Sequence, residues 1–379
     1  MSTGTDQAHG WMLGRVGGVP VYLGRSWPVI GVVVVVTFGP QLADVLPGGG
    51  AYAVAAAYAV LLLGSVLVHE AGHAVAARAT GARVDRIVAN LWGGHTVFGT
   101  QQRRPGTAAL IAVAGPAGNL LLAGLGWLLL QAGLPPVLDL LAWALAFSNV
   151  FVAVFNLLPG LPLDGGFVVE ALVWKITGDR WLAMIVAGWL GRIVTIAAVL
   201  YLLVEPVLTG SRPSIVTMVW VGLIGAFLWQ GATQAIRAGS ARRAVARVRV
   251  GQVVRPVAVV PGHASAGTAL ATFARVDGAR HAVLVDPSGV PVGFLDLAAL
   301  QSVPVDWLAE VPATAVLVRP PAGWIVAADM TDDAAAVVAA LAGHHEGENV
   351  KGEVLVVDLT GRPAGSVSMT DLEAALTAS

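Results

Sequence analysis

The sequence predicts a mostly α-helical polytopic membrane protein with six transmembrane helices, a short interfacial β-hairpin and a C-terminal tandem α/β domain. Three observations predict it. Of the 379 residues, 56% are hydrophobic and 12% charged, against about 25% charged in soluble domains. Apolar runs of about 20 residues, the length that crosses a bilayer, recur through the first two-thirds. After Arg249 the composition changes, and a strand–turn–strand–helix order occurs twice.

Residues 1–26 are polar and Gly-rich and lack the apolar core of a signal peptide. They read as a cytoplasmic N-terminal segment. The membrane domain is expected over 27–237, with spans at 27–46, 51–79, 107–132, 136–158, 181–204 and 214–236. The stretch 81–104 is too polar to span. Its Val84, Ile87, Val88 and Val97-Phe98 read as a hairpin or re-entrant strand pair at the cytoplasmic interface. The tandem domain is expected over 250–379, its copies at 250–304 and 311–378. Ala282-Val283-Leu284-Val285-Asp286 in the first copy corresponds to Val354-Leu355-Val356-Val357-Asp358 in the second.

Basic residues orient the spans. Arg78, Arg83, Arg86, Arg103 and Arg104 lie between the second and third. Lys175 and Arg180 lie between the fourth and fifth, and Arg237, Arg242, Arg243, Arg247 and Arg249 follow the sixth. The opposite loops hold Arg212 alone. Basic loops stay in the cytoplasm, so both termini are expected there. The net charge of -1 suggests no nucleic-acid partner, and the absence of cysteine excludes disulfides and thiolate metal sites.

His69-Glu70-Ala71-Gly72-His73 lies in the later half of the second run. Ionisable residues are costly inside a span and mark function. His-Glu-x-x-His on a helix puts both imidazoles on one face, with the carboxylate beside them. That set binds zinc and supplies a base for its water. A catalytic zinc takes three protein ligands, so a third must come from elsewhere. The candidate is Asp164, within Asn156-Leu157-Leu158-Pro159-Gly160-Leu161-Pro162-Leu163-Asp164-Gly165-Gly166. This segment ends a span of the same direction and reaches the same depth. Its prolines break the helix, and its glycines permit close approach. Asp-Gly is also a common turn pair.

These residues resemble the site-2 protease family of intramembrane zinc metalloproteases. The resemblance rests on the His-Glu motif, on Ala114-Gly115-Pro116-Ala117-Gly118-Asn119, and on the Asn156 to Gly166 segment, and covers roughly residues 10–230. It implies one zinc on His69, His73 and Asp164, Glu70 as general base, and Asn119 and Asn156 at the substrate backbone or oxyanion. It implies substrates that cross the membrane, such as anti-sigma or pro-sigma factors or tethered transcription factors. Two positions depart from the common pattern: Phe167 follows the glycines where many relatives have Arg, and no acid stands at Thr107 or Ala108. The tandem domain resembles a CBS pair, which implies regulation or homodimerisation. Its second copy ends in Gly365-Ser366-Val367-Ser368-Met369-Thr370-Asp371, close to a pattern that binds a nucleotide ribose through Ser368 and Asp371; the first copy has lost it. An adenine nucleotide is the implied ligand.

Other polar residues have plainer readings. His95 reads as an interfacial loop residue, with a fourth-ligand role as the alternative. Arg192 reads as snorkelling or pairing with Glu170 or Asp179. His344-His345-Glu346 reads as a solvated loop. The competing function is a CBS-regulated transporter, which needs polar groups along a path rather than at one depth. An inactive relative acting as a scaffold is the third reading.

Overall fold

The computed structural model describes residues 10–46, 50–90, 93–98, 104–210, 214–320, 323–343 and 352–378. Leu91, Trp92, Arg103, Arg212 and the His344-His345-Glu346 cluster lie outside the described residues. The chain divides into compact units between Ser240 and Ala241.

The described residues of the first unit open with two strands, β1 (Trp11–Val16) and β2 (Val19–Leu23), inside the segment read as a polar, Gly-rich N-terminal stretch. Gly17 and Gly18 join them, with φ of +56° and +86°. A two-residue turn with both φ values positive suits the twist of a hairpin, and glycine adopts it without cost. After α1 (Trp27–Ala43) and α2 (Gly50–Ala79) come β3 (Val84–Asn90) and β4 (Gly93–Phe98). β3 pairs antiparallel with β4 and parallel with β2, giving a sheet of order β1-β2-β3-β4. Val19, Val21 and Ile87 of this sheet pack on Ala74 of α2. The sheet therefore lies beside the helix that carries the His-Glu motif.

Then follow α3 (Pro105–Leu130), α4 (Pro136–Asn156), α5 (Asp164–Thr177), α6 (Arg180–Leu208) and α7 (Ile215–Arg247). Among the described residues five helices, α2, α3, α4, α6 and α7, are long and apolar enough to cross a membrane. The first expected span is the shorter α1, of 17 residues. α7 runs past the expected end at 236 through the basic stretch, because Ala and Arg are strong helix formers. Large apolar side chains such as Leu121, Leu128, Leu208 and Ile215 are exposed on these helices, as lipid-facing surfaces require.

Close helix approach uses small residues. A Cβ at Gly72 would stand 2.4 Å from the Ala114 carbonyl oxygen of α3, and one at Gly126 would stand 2.6 Å from the Ala146 nitrogen of α4. α5 begins after the Pro159 to Pro162 break. A Cβ at Gly165 would meet the carbonyl oxygens of Leu157 and Leu158 at 2.4 Å, and one at Gly166 the Leu161 nitrogen at 2.2 Å. The two glycines thus let the start of α5 nest in the preceding turn. Gly178, with φ of +72°, ends α5 in a left-handed cap.

The described residues of the second unit form two sheets. β5 (Val257–Pro261), α9 (Ala266–Arg275), β6 (His281–Val285), β7 (Pro291–Leu295), α10 (Leu297–Gln301) and β8 (Leu317–Val318) follow a short α8 (Val250–Val253). The first sheet has the order β5-β6-β7-β8. β9 (Ile325–Ala327), α11 (Ala335–Gly343), β10 (Glu353–Val357), β11 (Pro363–Ser368) and α12 (Met369–Ala378) complete the second, of order β11-β10-β9. The copies exchange segments, which the expected boundaries at 250–304 and 311–378 do not capture. Val250 and Val253 are buried against Val337, Leu341 and Leu372 of the second copy. Val311 and Leu317 pack into the core of the first.

Candidate metal centre

α2 puts His69 and His73 one turn apart, and both are buried beside Glu70. A carboxylate oxygen of Glu70 and one ring nitrogen of each histidine all lie within 4.8 Å of one another. α5 brings Asp164 to the same point from its first residue. Asp164 Oδ2 is 3.0 Å from His69 Nε2, and Oδ1 is 3.3 Å from His73 Nε2. A carboxylate in the first turn of a helix also faces the positive end of its dipole. The four residues that the sequence singled out therefore converge, although 91 or more positions separate Asp164 from the histidines in sequence.

The protonation pattern decides what the centre can hold. His69 Nδ1 donates to Asn119 Oδ1 at 2.6 Å, and His73 Nδ1 donates to the Ile111 carbonyl at 2.7 Å. In a neutral imidazole the other nitrogen is then a bare acceptor. The two Nε2 atoms face each other at 3.1 Å, with the carboxylate against both. With both rings neutral, three lone-pair-bearing groups converge on one point, an arrangement that a cation relieves. A tetrahedral zinc with bonds of about 2.0–2.1 Å separates its ligand atoms by roughly 3.3 Å, close to the spacings here. The donor set, two imidazoles and a carboxylate, suits zinc. Gly115 keeps the point open: a Cβ there would stand 2.3 Å from His73 Nε2 and 2.8 Å from His69 Nε2.

Asn119 is fully buried, and its amide hydrogens go to Asn149 Oδ1 at 2.7 Å and to the Ser65 carbonyl at 3.3 Å. With its oxygen on His69, it has no spare donor for an oxyanion. That departs from the expectation and follows from Asn149, which sequence reasoning missed. Asn149 is also fully buried. The available signal was an amide inside the apolar run of α4. Asn156 is half-buried at the last position of α4. It lies two turns from Asn149 on the same face.

Other expected residues lie apart from this point. Arg192 is stacked between Trp189 and Trp229, 4.8 and 4.7 Å from their centroids, and donates to Thr233 at 3.0 Å. It takes this aromatic slot in place of a pairing with Glu170 or Asp179; Glu170 is instead 3.4 Å from Arg180. His95 belongs to β4, opposite Val88; its side chain lies outside the described residues. In the second unit Asp371 is buried. Its carboxylate accepts from Ser368 Oγ at 2.7 Å, Arg255 Nε at 3.0 Å and Arg280 Nη1 at 3.1 Å. Burial alone would raise this carboxyl; the bonds from Ser368 and the two guanidinium groups outweigh it and hold it below its ordinary value.

The model of Peptidase family M50 matches residues 57–136 and 132–200. A protein described as "Putative zinc metalloprotease Rip3", from Mycobacterium tuberculosis, is 38% identical over 249 residues, which is 63% of this chain and 61% of the relative. "Putative zinc metalloprotease sll0528", from Synechocystis, is 34% identical over 259 residues, or 66% and 64%. The chain thus spans about three-fifths of the length of these curated relatives. The solved site-2 protease from Methanocaldococcus jannaschii is similar at 22% identity with a TM-score of 0.42, over 60% of this chain and 94% of that one. The matched region contains the His-Glu helix, the Asn119 helix and the Asp164 turn, and over it this chain is similar to Peptidase family M50.

Proposed function

We propose that this protein is an intramembrane zinc metalloprotease that hydrolyses peptide bonds in or near a transmembrane segment of its substrate. The observation that carries the reading is the convergence of the two imidazole Nε2 atoms and the Asp164 carboxylate beside buried Glu70. His69, His73 and Asp164 would hold the ion. When bound, zinc supplies Lewis acidity that makes water nucleophilic near neutral pH. Glu70 takes the proton of the attacking water and passes it to the leaving amide nitrogen. Asn156 offers its amide to the developing oxyanion, and Asn119 holds His69. A substrate helix must unwind before attack, since its carbonyls are hydrogen-bonded within it. β4 is an edge strand of its sheet, and such an edge accepts an extended segment as an added strand.

Within this reading α1 is the sixth crossing, since 17 residues reach the low end of the spanning range, about 17–25. An even number of crossings puts both termini on the side of the basic loops, the cytoplasm, with the metal centre nearer that face. The substrate is a membrane-tethered regulator such as an anti-sigma or pro-sigma factor. The tandem unit serves as a CBS pair in regulation or dimerisation.

The test is metal content of the purified protein beside cleavage of a membrane-spanning substrate. One zinc per chain is expected in the wild type, lost in Asp164→Ala and His73→Ala. Glu70→Gln should keep the zinc and lose roughly 10²–10⁴-fold in rate. A folded wild type that takes up no added zinc overturns the proposal.

A further inference from the structure

We infer that Ser65, Asn149 and Asn119 form a one-way hydrogen-bond chain that fixes the tautomer and orientation of His69, making all three positioning residues for the metal centre. The inference rests on the metalloprotease reading and adds residues to it.

The direction of the chain follows from donor and acceptor accounting. Ser65 Oγ donates to the Leu61 carbonyl at 2.9 Å. Its one hydrogen is spent, so it accepts from Asn149 Nδ2 at 2.9 Å. The second hydrogen of that nitrogen goes to the Leu145 carbonyl at 2.8 Å. Asn149 Oδ1 therefore accepts from Asn119 Nδ2, whose other hydrogen goes to the Ser65 carbonyl. Asn119 Oδ1 is left to accept from His69 Nδ1. Turning Asn149 over would set its oxygen against the Leu145 carbonyl and its NH₂ against that of Asn119; turning Asn119 over would set its oxygen against the Asn149 oxygen and the Ser65 carbonyl. The order can run only one way. It ends by holding the proton on Nδ1 and the lone pair on Nε2, where a metal needs it.

The placement argues against a packing accident. The chain joins three spans: Ser65 and His69 on α2, Asn119 on α3 and Asn149 on α4. Asn119 and Asn149 are 0% exposed and Ser65 is 2% exposed. Polar side chains at this depth are tolerated when they satisfy one another. His73 needs no such chain, because the fixed Ile111 carbonyl orients it directly. His69 Nδ1 meets a side-chain amide instead, and an amide must itself be held. Partners behind a liganding histidine fix its ring and basicity, and their loss typically weakens metal binding about 10–100-fold.

The experiment measures zinc affinity by competition with a chelator, and the visible spectrum of the cobalt-substituted protein, on the full chain in detergent. Wild type, Asn149→Leu, Ser65→Ala and Asp164→Ala are compared, together with the unfolding temperature of each metal-free protein. Asn149→Leu should weaken zinc about 10–100-fold and shift the cobalt bands. Ser65→Ala should do the same to a smaller degree, and carries the test if Asn149→Leu does not fold. Asp164→Ala should bind no zinc. If Asp164→Ala loses zinc while Asn149→Leu and Ser65→Ala keep wild-type affinity and spectrum and only melt lower, the chain is packing and the inference fails alone. If the wild type binds no zinc, the metalloprotease reading fails and the inference with it.

Discussion

Gly115 shows how much of the centre depends on one missing methyl group. It stands on α3 facing both histidines, and a Cβ there would reach within 2.3 Å of His73 Nε2. The atoms it would strike belong to the two imidazole rings, not to the end of a flexible chain. His73 is held on its other side by the Ile111 carbonyl and His69 by Asn119, so neither ring can yield without breaking its own hydrogen bond. Gly115→Ala should therefore abolish or strongly weaken zinc binding. Cleavage should fall by roughly 10²-fold or more, the effect of misplacing a catalytic group by about 1 Å. Membrane insertion should be unaffected, because alanine is as apolar as its surroundings. Metal analysis beside a yield comparison checks this; full zinc occupancy in Gly115→Ala would contradict the geometry. Gly118→Ala, where the nearest atom is the Val68 carbonyl oxygen at 3.2 Å, is the milder control.

At the scale of elements, the helices were legible because apolar length writes itself into sequence. His69, Glu70 and His73 were legible because charge in such a run is costly, and Asp164 because it lies in a Pro- and Gly-broken segment after a span of the same direction. Asn149 was not, since a lone amide has no partner visible in sequence; only folding sets it against Asn119, 30 positions away. β1 and β2 were hidden by their Gly-rich, polar setting, although the Gly17-Gly18 pair between short β-prone runs was a hairpin signal. The segment exchange between the copies of the tandem unit was hidden because it is non-local. The β3–β4 pair, with β4 at the sheet edge, yields the prediction that belongs here. Successive residues of a strand turn their N–H groups alternately to the partner and to the free edge. Thr96→Pro and Val97→Pro, made separately, sample both directions. The outward-facing one should slow cleavage of a membrane-spanning substrate while zinc content stays at the wild-type level. Wild-type cleavage by both variants would remove strand addition from the mechanism.

For the whole molecule, each unit must be judged on its own polar groups. Among the described residues of the first unit, six of the buried polar side chains, Ser65, His69, Glu70, His73, Asn119 and Asn149, gather around one point, while Glu170 pairs with Arg180 and Thr195 donates to the Gly191 carbonyl of its own helix. From Ser65 to His73 is eight residues, about 12 Å of helix, well short of a path across a bilayer of about 30 Å. That favours a reaction centre over a transport route. The second unit poses the opposite question, whether a site suggested by its motif is free to bind. Both Asp371 oxygens are engaged, one by Arg255 and the other by Arg280 and Ser368. The carboxyl is held below its ordinary value, so it is ionised at neutral pH and both guanidinium bonds are charge-assisted. A ribose hydroxyl would bind the same carboxylate without bringing a positive charge, so a nucleotide would have to displace two charged donors already in place. Asp371 thus serves as a clamp that ties the starts of β5 and β6 to α12 of the other copy. Millimolar AMP, ADP or ATP should leave the unfolding temperature of the full chain unchanged. Asp371→Asn should lower that temperature with no nucleotide present, because one charge is removed from under two arginines. A nucleotide-dependent rise of several degrees in the wild type, absent in Asp371→Asn, would mean that the arginines release the carboxylate to a ligand, and would restore the unit to a nucleotide sensor.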